Sequence, residues 1–396
     1  MGKMIQTEVA IVGGGVAGLW LLNLLRGRDV DALLFEQADL GGVQTMASQG
    51  MIHGGLKYTL GGADGLGAMS SAAAAIADMP QRWRDCFAGR GVLDLSRVAL
   101  TSPDYFMFAS GAIGRLGGFF ASKALRGKIE ALSPAEFPPT LQQAQFSGSV
   151  YRLADPVIDV ASLLHVLSEP HADRLLQCGV TDLCFDGEGS IQSVKTSAGI
   201  EVQARTYLFC AGAGNQHFAE QLRQAGHENA PTTQLRPLHQ VFVQHAALQP
   251  FYAHCLTNLR SSEPRLTITS HGSGENFGWY IGGALATGGV QRSTEDQIEY
   301  CRAELRNLLP WVDWSSARFR CLRIDRAEPS QTDGNKPDEA CVVGCANALL
   351  CWPTKLALVP NLGELAVDKL ELTGHVGRSV QPGILPAPTI ADVPWL

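Results

Sequence analysis

Hydrophobic positions along the chain fall into short buried runs and helical stripes. Glu8-Val9-Ala10-Ile11-Val12 ends in three glycines and reads as a buried strand. Leu19 to Leu25 is apolar at helical density. Asp31-Ala32-Leu33-Leu34-Phe35-Glu36 is a second strand-like run. Together they predict a βαβ unit of about 30 residues. Further on, Ala68 to Trp83 is Ala-rich and predicts a helix stopped near Pro80. Val160 to Leu167 predicts another, with Asp159 as its N-cap. Ile191–Thr196 and Glu201–Ala204 alternate around Ser197-Ala198-Gly199, a hairpin signal. Thr206 to Ala211 is a buried strand stopped by Gly212-Ala213-Gly214. Val241 to His245, Arg265 to Thr269 and Ala340 to Gly344 also read as strands. Gln297 to Leu309 and Leu356 to Leu370 read as helices, and the proline-rich stretch from Thr373 reads as irregular.

Glycine is abundant, at 43 residues, which suits tight turns and close backbone approaches to a ligand. The net charge of -7 argues against a nucleic-acid binder, since no basic excess is available for phosphates. The ten cysteines are scattered, mostly in apolar runs. They read as buried reduced thiols rather than a disulfide framework or a metal site. The first apolar run lacks a secretory pattern, and no apolar stretch is long and clean enough to span a bilayer. The expectation is a cytoplasmic protein.

Gly13, Gly15 and Gly18 match G-x-G-x-x-G between the predicted strand and helix. The first glycine permits the tight turn, the second lets the backbone approach a pyrophosphate, and the third allows close helix–strand packing. With Val16 and Ala17 the helix start offers free N–H groups to the phosphates. Glu36, followed by Gln37, ends the next strand about 20 residues on, where a carboxylate accepts ribose hydroxyls. This predicts a dinucleotide without saying which one. The segment Gly41 to Tyr58 decides the choice. It carries two glycine pairs around small and polar residues and is built to lie along a ligand, whereas an NAD-binding domain continues into another βα unit.

The run Ser48 to Tyr58, with Ile52-His53-Gly54-Gly55-Leu56-Lys57-Tyr58, resembles a segment of FAD-dependent glycerol-3-phosphate dehydrogenases. The wider resemblance is to the D-amino-acid oxidase and glycerol-3-phosphate dehydrogenase superfamily. Asp155-Pro156-Val157-Ile158-Asp159 is similar to the stretch that returns the chain to the FAD domain. Tyr207 to Gly214 is similar to the strand and turn over the dinucleotide, and Trp352-Pro353-Thr354-Lys355-Leu356 to a segment near the flavin ring. The resemblance implies an α/β fold: a Rossmann-like FAD-binding domain (1–80, 150–225 and 325–372) interleaved with a mixed-sheet α+β substrate domain (81–149 and 226–324), and a tail over 373–396. It implies that Thr45, Ser48, Gln49, Gly50, Met51, His53, Ala211, Gly212, Thr354, Lys355 and Leu356 join the fingerprint in holding FAD. Lys57 stands where the glycerol-phosphate enzymes carry Arg, and their long C-terminal domain has no counterpart here.

Flavin oxidation needs a held substrate, a group to manage a proton, and donors that stabilise the reduced ring. The helix starting at Leu356, with the Thr354 and Lys355 amides, is the candidate for the last role. His53 is expected at the flavin. Some relatives attach the ring covalently through a comparable His, but the resemblance here is closer to members that hold it non-covalently. Lys57 and Arg323, with Arg326 nearby, are candidates to grip an anionic group. His239 is the candidate base, since an unperturbed His titrates near neutrality, and His271 ranks below it. The expected reaction is oxidation of a small anionic hydroxy compound, passing electrons to oxygen or a quinone. An amine oxidase and a non-catalytic flavin sensor are the alternatives. Arg115, Lys123, Arg126 and Lys128 around Gly117-Gly118-Phe119-Phe120 raise the option of peripheral contact with the inner face of a membrane. An ordinary charged helix face is the preferred reading.

Overall fold

The computed structural model describes residues 4–54, 76–110, 129–256, 263–330, 337, 339–370 and 385–395. Lys57, the basic segment from Arg115 to Lys128 and the start of the helix expected at Ala68 lie outside the described residues. Among the described residues, two eight-stranded sheets organise the fold.

The first sheet runs in the order Cys341–Cys345, Ala348–Trp352, Glu201–Phe209, Met4–Val12, Ala32–Glu36, Leu175–Gln177, with Ile191–Thr196 attached off this path to Glu201–Phe209 and Val180–Phe185 attached to Ile191–Thr196. Met4–Val12 sits in its centre, parallel to neighbours on both sides. A strand buried on both faces reads as an unbroken apolar run, as Val9–Val12 does. The two sequence signals at Glu201–Ala204 and Thr206–Ala211 form one nine-residue strand. Its whole length pairs in parallel with Met4–Val12, while its other edge pairs with Ile191–Thr196 over the first half, as the expected hairpin, and with Ala348–Trp352 over the second. One face is covered by the helices Val16–Arg26, Val160–Ser168 and Val359–Lys369. On the other face Phe209 stacks on Phe218 at 4.5 Å. Such ring pairs add roughly 1 kcal/mol beyond their buried area.

Helix ends follow local chemistry. The Asp159 carboxylate accepts from the Ser162 N–H at 2.8 Å, the N-cap expected from sequence. Asp159→Ala is expected to cost about 1 kcal/mol, read as a lower urea midpoint. Ser293 caps Thr294–Leu308 in the same way, so this helix starts earlier than its apolar stripe. The helical run through Ile76 and Ala77 ends at a turn at Asp78, as expected near Pro80, and a second helix follows at once. Pro80 itself stands in the first turn of this second helix, Met79–Phe87, where its missing N–H is harmless and its φ is already helical.

The second sheet runs in the order Arg318–Pro329, Thr233–Gln244, Gly278–Gly282, Leu266–His271, Ala253–Cys255, Tyr105–Ser110, Gly148–Leu153, Ile129–Ala131. It is antiparallel apart from the Ala253–Cys255 pairing with Tyr105–Ser110. Its two longest strands, Thr233–Gln244 and Arg318–Pro329, pair over twelve residues.

The tail is irregular yet docked. Leu40 N–H donates to Thr389 O at 2.7 Å, and Ala391 N–H to Leu40 O at 3.1 Å. Trp395 packs against Phe242, Tyr280 and His271 of the second sheet. Burial among these rings pushes His271 down to about 4. A histidine buried neutral contributes stability that is present above its unfolded value near 6.5 and is lost as pH falls toward 4. Stability is therefore expected to fall between pH 6.5 and 4, by up to about 1.4 kcal/mol per pH unit. His271→Gln is expected to flatten that limb in denaturation curves taken across the window.

All ten cysteines are free thiols. Desolvation raises Cys178 and Cys321 to about 11 and Cys255 to about 12, so they stay protonated and unreactive at neutral pH.

Candidate active site

The carboxyl end of the first sheet faces the second sheet across a cavity of about 320 Å³. The glycine turn forms one end. Gly13 has φ +109°, and a Cβ there would lie 2.6 Å from Cys210 O. A Cβ on Gly18 would lie 2.0 Å from Gly13 O, so the turn closes on the helix only without it. Gly15 differs. Its backbone is ordinary, and its missing Cβ faces the cavity with only Thr45 Oγ1 nearby at 3.2 Å. The three glycines thus separate into two that shape the turn and one that leaves room for a ligand. Thr45 Oγ1 accepts from the Val16 N–H at 3.1 Å and braces the start of the helix. Glu36 accepts from the Gly14 and Ala38 N–H groups at 2.6 and 2.9 Å, clamping the turn from outside the cavity wall.

Gly15, Val16, Ala17, Thr45, Ser48, Gln49, Gly50, Met51, His53, Gly212, Thr354, Lys355 and Leu356 all line this one cavity. Gln37 is exposed, and Ala211 lies behind the wall with its N–H on Asn215 Oδ1. Gly50, at φ +69°, packs on Ile158 O, and Ile52 N–H donates to Pro156 O at 2.9 Å. The described part of one segment singled out in the sequence, Gly41–Gly54, therefore braces the other, Asp155–Asp159. Ser48 Oγ is buried without a partner among the described residues, as is the indole N–H of Trp352 on the same wall. Open space at Gly15, a helix start and stranded polar groups are what a dinucleotide requires, so the residues present fit FAD.

Thr354 sits at φ +58°, in a region that β-branched residues avoid. Lys355 N–H closes this turn on Pro353 O at 2.6 Å. The Lys355 amide is therefore spent inside the turn rather than offered to a ligand. A 3-10 turn, Leu356–Leu358, leads into the helix Val359–Lys369 and directs its N-terminal end at the cavity. Cys351 on the same wall is held well above the usual thiol value by its hydrogen bond with Cys210 and by burial, so it is no nucleophile.

The second sheet supplies the far wall through a row of residues crossing four strands. His254 pairs with Thr267, Thr267 with Gly282, and Gln240 lies across from Gly282. Leu238, Ile324 and Arg326 continue the wall, with Glu263 at its rim. His254 Nδ1 contacts Thr267 Oγ1 at 2.9 Å, and its ring stands edge-on to Tyr105.

Strand alternation overturns two expectations. His239 and Arg323 are register partners, so both point to the side of the sheet away from Leu238, Gln240 and Arg326. The His239 ring is fully buried, with Nδ1 3.0 Å from Gly289 O. Arg323 donates to Val290 O and Arg292 O at 2.8 and 2.7 Å. Neither reaches the cavity. Arg326, Gln240 and His254 occupy the places expected of them. A shift of one residue in the assumed facing accounts for both errors. His271 packs in the aromatic cluster outside the cavity. Among the described residues no group of three ligating side chains is placed to hold a metal, and no helix is long and apolar enough to cross a membrane.

A mixed sheet with a parallel core and a second, mostly antiparallel sheet, with a glycine-turn dinucleotide site lined by both, define a flavoprotein oxidoreductase class. The family model "FAD dependent oxidoreductase" matches residues 8–348, and the chain belongs to this family. It is 40% identical, over all of its own length and 99% of the other's, to the probable FAD-dependent oxidoreductase PA4991 of Pseudomonas aeruginosa. The crystal structure of PA4991 superposes with a TM-score of 0.84 at 36% identity, covering 100% of this chain and 99% of that one. Glycine oxidase from Geobacillus kaustophilus (TM-score 0.65, 16% identity, 94% and 100% covered) shares the fold. So does L-alpha-glycerophosphate oxidase from Mycoplasma pneumoniae (0.66, 15%, 93% and 95%). The protein is an FAD-dependent oxidoreductase.

Proposed function

We propose that the protein oxidises a small anionic hydroxy compound, similar to glycerol 3-phosphate or a 2-hydroxy acid, within this cavity. The observation that carries this reading is that two cations, Arg326 and Lys355, line the same cavity as two histidines, His53 and His254. Gly15, Val16 and Ala17 would hold the pyrophosphate of FAD, with Thr45 and Ser48 beside them. Gly50, Met51, His53 and Leu356 would run along the rest. Bound FAD supplies the acceptor for the hydride leaving the substrate carbon. Arg326 grips the anionic group through its planar fork of donors. His254, oriented by Thr267 and Tyr105, or His53 on the opposite wall takes the hydroxyl proton. The apolar residues Leu238, Ile324 and Met51 limit water around the reacting carbon.

A second reading, an amine or amino-acid substrate, is favoured by one feature: the Glu263 carboxylate on the same wall. Anaerobic titration of the FAD-loaded protein with 2-hydroxy acids, glycerol 3-phosphate and secondary amines separates them. Bleaching of the flavin by a hydroxy compound is the expected result. Bleaching by amines alone would transfer the assignment, and no bleaching by any class would leave a flavin-binding protein without turnover. Oxygen uptake against quinone reduction in the same assay identifies the acceptor.

A further inference from the structure

Gln49 and Gln240 reach the cavity floor from different elements and meet over the same glycine. A Cβ on Gly282 would lie 2.7 Å from Gln49 Oε1 and 3.3 Å from Gln240 Nε2. Only glycine leaves that floor open. Each amide is turned by partners behind it. Gln49 Nε2 donates to Thr267 O at 3.1 Å, Tyr280 O at 3.0 Å and Thr269 Oγ1 at 3.3 Å. Two of those partners are carbonyls that only accept, so Gln49 must present its oxygen to the cavity. Gln240, only 4% exposed, accepts at Oε1 from the Tyr280 hydroxyl at 2.8 Å. Burial raises the Tyr280 phenol, which keeps it a donor. The opposite turn of Gln240 would set two carbonyl oxygens against one another over Gly282. Among the described residues neither Gln49 Oε1 nor Gln240 Nε2 has a hydrogen-bond partner, and both residues line the cavity.

We propose that Gln49 and Gln240 form a paired-amide subsite that binds a neutral group able to donate and accept hydrogen bonds at once, such as a carboxamide or hydroxyl. A carboxamide fits both halves: its N–H donates to Gln49 Oε1 while its C=O accepts from Gln240 Nε2. A carboxylate only accepts and meets the Gln49 oxygen unfavourably. An ammonium only donates and meets the Gln240 N–H groups. The subsite rests on the reading of this cavity as the active site. It deepens that reading by assigning any charged end of the substrate to Arg326 and the neutral polar end to the glutamine pair. The pyrimidine edge of FAD, an N–H flanked by carbonyls, carries the same chemistry and is the other source of such a group.

Binding of acetamide, acetate and methylammonium tests the subsite without turnover. It is read by thermal shift and by fluorescence quenching, since Trp352 lies on the wall. Acetamide is expected to bind at least tenfold more tightly than either ion. Gln240→Leu and Gln49→Leu abolish the preference. Gln240→Glu keeps the Tyr280 hydrogen bond but turns the donor into an acceptor, and is expected to shift the preference at least tenfold toward methylammonium. Because this variant gains a ligand, loss of fold does not imitate it. Apoprotein and FAD-loaded protein distinguish the sources. Acetamide binding to both assigns the pair to substrate. Exclusion by FAD, with a weaker FAD affinity in Gln240→Glu, assigns it to the flavin edge. Equal binding of the three probes to wild-type protein, or an unchanged order in Gln240→Glu, overturns the proposal. Failure of the bleaching assay leaves these orders untouched, so the two readings fail separately.

Discussion

Gly15→Leu is expected to give a folded protein that no longer retains flavin. Gly15 has φ -74° and ψ 178°, a conformation open to any residue, so the change carries no backbone strain. Its side chain would meet only Thr45 Oγ1 before entering the cavity at the helix start. There it displaces the phosphates from the N–H groups of the helix. A loss of at least about a hundredfold in FAD affinity is expected, about 2.8 kcal/mol at 1.4 kcal/mol per tenfold. Titrating apoprotein with FAD measures it, and the urea midpoint of the apoprotein is expected to stay near that of the wild type. Gly18→Ala is the contrasting case. Its Cβ would fall 2.0 Å from Gly13 O, so the apoprotein itself is expected to lose stability. If Gly15→Leu bound FAD as the wild type does, the phosphate end of the site would have to lie elsewhere.

Arg326→Ala is expected to lower kcat/KM for an anionic substrate roughly 10- to 100-fold, matching the 1.5–3 kcal/mol typical of hydrogen bonds to charged groups. Arg323→Ala, three residues away, is expected to leave kcat/KM within about twofold of wild type. That guanidinium is engaged by Val290 O and Arg292 O on the other side of the sheet, so its loss appears as reduced stability. Arg326→Lys retains the charge but not the planar fork, and an intermediate value is expected. Steady-state kinetics on whichever anionic compound bleaches the flavin, together with denaturation of each variant, measure both effects. Equal kinetic losses at the two positions would contradict the assignment of faces.

This contrast also marks the limit of what the sequence conveyed. Gly13, Gly15, Gly18 and Asp159 were legible because their roles are local: a turn, an open approach, a packing contact and a cap each depend on a few adjacent residues. The likeness of Ser48–Tyr58 to a known segment placed Ser48, Gly50 and His53 at one cavity without any knowledge of the second sheet. Facing was not legible for Thr233–Gln244 and Arg318–Pro329. Both sides of that pair carry polar residues, Gln240 and Arg326 toward the cavity, His239 and Arg323 toward the Gly289–Arg292 segment. With no apolar face to set the parity, only the register reveals it. His254 was missed for a similar reason, since it belongs to a three-residue strand whose place in the wall comes from Thr267 on its neighbour. The stop near Pro80 was legible, but the sequence reading ran Ala68 to Trp83 as one helix and missed that Pro80 also opens the next one, Met79–Phe87.

The central strand Met4–Val12 takes one neighbour from close by, Ala32–Glu36, and the other from Glu201–Phe209, which in turn pairs with Ala348–Trp352. The wall that receives the cofactor is therefore assembled from residues separated by most of the chain. Closing loops of that length carries an entropic cost before any contact repays it, and topologies of this kind fold slowly. A ribosome that has finished the glycine turn has made an anion-binding helix end but no site. Until Cys351 to Leu356 has been synthesised and has docked, FAD has only part of its binding surface to meet, so cofactor loading has to follow, rather than guide, the assembly of the first sheet.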